Sequence, residues 1–194
     1  MKSLQEWCEE NNRQDLLDQW HPTKNGNLMP NDVSYGSHTN VWWLMPYDDL
    51  KTGKHFDFEW QSEICSRSIG NRGCPYLFGH QSLFGFNDLA TKSPKLAAEW
   101  NYEKNAGLID GDGFDISTPD KIHYQSGKKV WWKLPYTDPE NGHSFIFEWE
   151  ATVYSRVAGT NCPYLCGRLV YPGFNDLATK SSKLAAEWNY EKKR

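Results

Sequence analysis

The chain repeats itself, and a repeat of this length restricts the fold to small modules set in tandem. Leu16 opens "LLDQWHPTKNGNL", Leu96 opens "LAAEWNYEKNAGL", and "LAAEWNYEKKR" begins again at Leu184. "VWWLMPY" from Val41 returns as "VWWKLPY" from Val130, and "FDFEWQSEICSR" returns as "FIFEWEATVYSR". "GCPYL" and "NCPYL", then "GFNDLATKSPK" and "GFNDLATKSSK", complete the correspondence. The sequence therefore divides into an N-terminal helix (1–15), a first repeat (16–95), a second repeat (96–183) and a C-terminal helix (184–194) that starts a third copy.

Periodicity gives the local structure. Phe56, Phe58, Trp60, Ser62 and Ile64 alternate with Asp57, Glu59, Gln61 and Glu63, and the second repeat does the same with Phe145, Phe147, Trp149, Ala151 and Val153. Alternation of this kind predicts a half-buried strand. The preceding Val-Trp-Trp run supplies an antiparallel partner through turn-rich loops, "DDLKTGK" and "TDPENG". Ser93 and Pro94 mark a helix start, as N-cap and first helical residue. Leu4 to Trp20 reads as one amphipathic helix with Leu4, Trp7, Cys8, Leu16 and Leu17 facing inward. The fold class expected is α+β: two small modules, each a long antiparallel hairpin plus a knuckle, alternating with short helices.

Ten Trp, ten Tyr and nine Phe can fill such small cores with few residues. The formal charge is −4, without the basic excess of a protein held on a duplex mainly through phosphates. The polar N-terminus predicts neither a signal peptide nor a membrane span, and five cysteines, an odd number, fit reduced thiols in a cytoplasm.

Taken together, V-W-W, the aromatic-Glu-Trp strand, Arg-x-x-Gly before Cys-Pro, G-F-N-D-L-A-T and the helix ending Glu-Trp resemble a probable zinc-ribbon (treble-clef-like) domain of unknown function that occurs in tandem copies. The resemblance implies metal ligands in the pattern VWWxC, GHxW and CPxC. Those positions fall on Met45, Phe58, Cys74 and Leu77 in the first repeat, and on Leu134, Phe147, Cys162 and Leu165 in the second. A structural zinc site needs four thiolate or imidazole ligands, which one cysteine per repeat does not supply. The expectation is a metal-free apolar plug, with no cofactor, in which each large side chain contributes about 1.5–3 kcal/mol by burial. His55 lies on the Asp57/Glu59 face and does not substitute; Cys166 adds a second thiol only in the second repeat.

"AGLIDGDG", Ala106 to Gly113, resembles the LAGLIDADG string of DNA-cutting homing endonucleases. In the repeat alignment it occupies the place of a loop, in a segment nine residues longer than its counterpart. Three glycines in eight residues also oppose a helix, at about 0.8–1.0 kcal/mol each. Asp110 and Asp112 are accordingly read as solvated loop acids, and DNA endonuclease activity ranks below both binding functions.

The leading expectation is a non-enzymatic nucleic-acid-binding module using Arg67, Arg72, Lys128, Lys129, Lys133, Arg156 and Arg168 beside aromatic rings, with DNA or RNA as partner. The alternative is a protein-interaction module, a mobile-element or phage-type factor that docks on a nuclease or another host protein, for which a Trp- and Tyr-rich, weakly acidic surface is suited.

Overall fold

The computed structural model describes residues 2–189. Its elements are α1 (Leu4–Glu10), α2 (Gln14–Asp18), β1 (Asn40–Asp49), β2 (Lys54–Glu63), α3 (Ile64–Ser68), α4 (Leu89–Lys92), α5 (Pro94–Ala97), β3 (Lys129–Thr137), β4 (Ser144–Thr152), α6 (Val153–Val157), α7 (Leu177–Lys180) and α8 (Ser182–Ala186). The architecture is α+β, with two two-stranded antiparallel sheets, β1–β2 and β3–β4. No described helix is long and apolar enough to cross a membrane.

The expected hairpins form in register. Trp43 faces Trp60 and Met45 faces Phe58 in one, while Trp132 faces Trp149 and Leu134 faces Phe147 in the other. Alternation decides burial: Phe58, Trp60, Phe147 and Trp149 are buried, whereas Asp57 and Ile146, on the opposite faces just before Phe58 and Phe147, are exposed. Each hairpin turn is held by a buried aspartate. Asp49 accepts from the Lys51 amide at 3.0 Å and the Thr52 hydroxyl at 2.8 Å; Asp138 accepts from the Glu140 amide at 3.0 Å.

The chain divides into two compact units, Met1–Gln81 and Ser82–Arg194. This break precedes the repeat boundary at 95/96 for a physical reason. Leu89 is fully buried in the second unit's core with Trp100, Ile122, Trp132 and Phe147, and its amide donates to Ile122 O at 2.9 Å. Leu4 does the same in the first unit, donating to Val33 O at 2.7 Å. Each unit thus opens on a capped leucine. Ser3 accepts from Glu6 N at 3.1 Å in a capping box, and Asp88 accepts from Thr91 N at 2.8 Å. Replacing the fully buried Asp88 by alanine is expected to lower the second unit's stability by about 1–2 kcal/mol in a denaturant titration. Asp176 caps Thr179 in the same way at 3.0 Å.

One expected element is corrected. The single N-terminal helix is two, because Asn12 adopts a left-handed φ of 56° and ends the first. Leu4, Cys8 and Leu16 are buried as expected, and Trp7 and Leu17 are half-buried. Ser93 is the N-cap of α5 with Pro94 first, yet its side chain makes no capping bond; the side-chain cap nearby belongs to α4, from Asp88. Of the expected C-terminal helix, Ser182–Ala186 is helical and residues 190–194 lie outside the described ones.

Candidate functional site

The positions that the resemblance assigns to zinc do not fit the ion. Phe58 and Phe147 are fully buried and stacked on Tyr47 and Tyr136, with centroids 5.3 and 5.7 Å apart. Cys74 and Cys162 are buried thiols pushed above the ordinary cysteine range by desolvation. Met45 and Leu134 are half-buried. Each set of four offers one thiol and no imidazole, too few donors for a closed tetrahedron. The apolar plug is nevertheless incomplete: Leu77 and Leu165, expected inside, stand 43% and 40% exposed.

The candidate nucleic-acid contacts separate into three groups. Arg67 and Arg156 are 3% and 5% exposed, which corrects their assignment as phosphate ligands. Arg67 lies over Trp43 and Trp60 at 4.9 and 5.0 Å, and Arg156 over Trp132 and Trp149 at 5.2 Å each. Arg67 donates to Gln19, and Arg156 to Glu99 and to Thr160 O. Burial pushes the Arg67 guanidinium down to about 10. Both cations are structural pins between indoles.

Lys128 and Lys133 are engaged by acids. Lys128 Nζ lies 3.5 Å from Asp110 and 3.8 Å from Asp112, and Lys133 Nζ lies 3.5 Å from Glu103. The outward indoles are covered in the same manner. Lys24 sits 4.5 Å above Trp42 and pairs with Glu59, which also meets His21 Nε2 at 3.1 Å. Lys104 sits 4.0 Å above Trp131 and pairs with Glu148 at 2.8 Å, where Asn101 donates at 2.8 Å. Those lysine bonds hold both glutamates below the usual carboxylate range.

Arg72, Lys129 and Arg168 are exposed and in no ion pair among the described residues. They rim two grooves at equivalent places. In the first unit a groove of about 600 Å³ runs between Trp60, Arg72, Pro75, Phe78 and His80. In the second, one of about 460 Å³ runs between Lys129, Trp149, Pro163, Tyr164 and Arg168. An exposed apolar side chain lines each, Phe78 in one and Leu169 in the other.

The string Ala106–Gly113 is a turn rather than a helix. Asp110 accepts from the amides of Asp112 at 3.0 Å and Phe114 at 2.9 Å, and Ile109 bridges Asp115. Sequence reasoning missed Asn25 and Asn105. Asn105 is fully buried, and each amide side chain bonds both backbone groups of the outward tryptophan: Asn25 with Trp42 at 2.7 and 3.0 Å, Asn105 with Trp131 at 2.9 and 2.8 Å. Their recurrence in "KNGNL" and "KNAGL" was the available signal.

A comparison with curated proteins gives no match. A family model described as probable treble clef zinc finger domain matches residues 16–76 and 96–169, together more than half of the chain. On that extent, and with one hairpin and one Cys-Pro knuckle in each matched region, the chain belongs to the probable treble clef zinc finger domain family, in two tandem copies.

Proposed function

We propose that the protein is a non-catalytic binding module that engages a protein partner through its two knuckle grooves. One observation carries this reading: in both units an exposed apolar side chain, Phe78 in the first and Leu169 in the second, lines a groove walled by an indole and a proline. Exposed apolar side chains of this kind suit a partner's apolar anchor, and the rim cations Arg72, Lys129 and Arg168 suit acidic residues flanking it. Two related grooves in one chain also suit a partner that presents two such segments. Neutralisation of Lys24, Lys104, Lys128 and Lys133 by neighbouring acids weighs against a phosphate backbone as the principal ligand. Nucleic-acid binding is the second reading, supported by the same three rim cations beside Trp60 and Trp149.

The two separate in one pair of measurements. Cross-linking in cell extract is expected to join a discrete protein to the knuckles, and Phe78→Glu with Leu169→Glu to abolish that product while leaving the circular dichroism unchanged. Fluorescence anisotropy with DNA and RNA oligonucleotides is expected to give dissociation constants no tighter than about 1 µM at physiological salt, the weak non-specific range. Tighter, salt-sensitive binding that is lost in Arg72→Glu with Arg168→Glu, and kept in the Phe78→Glu with Leu169→Glu variant, would replace the protein reading with the nucleic-acid one.

A further inference from the structure

The loop before β1 and the junction of β2 with α3 bring three different donor atoms together. His38 Nδ1 lies 3.0 Å from Glu63 Oε2, Cys65 Sγ lies 3.5 Å from that nitrogen, and the same sulfur lies 3.4 Å from that oxygen. Among the described residues, no other three potential ligands of the His, Cys, Asp and Glu types gather so closely. Zinc bonds of about 2.0–2.1 Å to nitrogen, 2.0–2.2 Å to oxygen and 2.3 Å to sulfur, at tetrahedral angles, imply donor separations of about 3.3–3.7 Å. The two sulfur distances match such edges as they stand, and the third needs only a slight opening.

The backbone beneath these side chains is fixed. Cys65 N donates to Ser37 O at 2.9 Å and Ile64 N to Thr39 O at 3.2 Å, clamping the residues on either side of His38 onto the start of α3. The second unit keeps the clamp, with Tyr154 N to Ser126 O at 2.8 Å and Val153 N to Lys128 O at 3.2 Å. There the aligned side chains are Gly127, Thr152 and Tyr154, which offer no comparable donor set. The clamp belongs to the fold, whereas the donors belong to the first unit.

We propose that His38, Glu63 and Cys65 form a binding site for one zinc ion, on a face separate from the family's ligand positions and with its remaining coordination position open to water. Imidazole, carboxylate and thiolate together favour zinc over magnesium or calcium, which prefer oxygen alone. His38 is strongly exposed, so an ion can enter without the fold opening.

The test titrates cobalt(II), as a spectroscopic stand-in for zinc, into the reduced full-length chain. One equivalent is expected to give a thiolate-to-cobalt charge-transfer absorption that zinc displaces. Cys65→Ser should remove that absorption, Cys166→Ser should leave it, and His38→Gln, at an exposed position, should weaken binding by about tenfold or more. Absence of the absorption in excess cobalt, its persistence in Cys65→Ser, or unchanged affinity in His38→Gln overturns the site. None of these readouts depends on the knuckle grooves or on any partner.

Discussion

Replacing Trp43 by alanine is expected to cost the first unit about 3–5 kcal/mol, and Trp132→Ala the same in the second. Both indoles are fully buried. Trp43 meets Trp20 edge-on at 5.7 Å, donates from Nε1 to Ser62 O at 3.2 Å and carries the Arg67 guanidinium on its face. Trp132 repeats each relation, with Trp100 at 5.7 Å, Ala151 O at 3.0 Å and Arg156. Truncation removes a large buried surface, opens a cavity between hairpin and helices, and leaves a guanidinium with one of its two indoles. Hydrogen exchange resolved along the chain is the suitable measurement. In Trp43→Ala, protection should fall across Asn40–Asp49 and Lys54–Glu63; retention of wild-type protection there would mean that this ring is not the keystone of its core.

The second large effect is expected at Arg156. Its side chain is 4% exposed and paired with Glu99, so Arg156→Ala strands a carboxylate that is itself three-quarters covered. Breaking a pair of this kind from one side costs about 3–5 kcal/mol. Adding Glu99→Gln should recover part of that loss, because the neutral amide no longer needs a counter-charge. A chemical-denaturation double-mutant cycle measures the coupling; strictly additive losses would show that the pair contributes little. Arg67→Ala should be milder, since its hydrogen-bond partner, Gln19, is neutral.

How much of this was legible in the sequence depends on the range of the interaction. Hairpins followed from alternation because neighbouring residues on a strand alternate in face whatever the rest of the chain does. The helix break at Asn12 was also within reach, since adjacent asparagines are a known stop signal in left-handed conformation. Arg67 and Arg156 were misassigned because their partners are remote: Gln19 is 48 residues away and Glu99 57. An arginine after an aromatic strand looks alike whether it faces solvent or two indoles, and only the register of Trp43 with Trp60 places it between them. Leu77 and Leu165 were misjudged for a different reason. They follow Cys-Pro in a tight turn, where no period determines which side chain points inward, and the tyrosine before each reaches the hairpin instead, donating to Glu59 O at 2.9 Å and Glu148 O at 3.2 Å.

Leu89 sits on the far side of a seam from the string that contains it. What was copied as text ends at Lys95, while what folds as a body begins at Ser82. Anyone dividing this gene by its printed echo would hand the first fragment a tail it does not use and rob the second of its opening clasp. Scissors placed after Gln81 would keep Leu89 with the core that buries it.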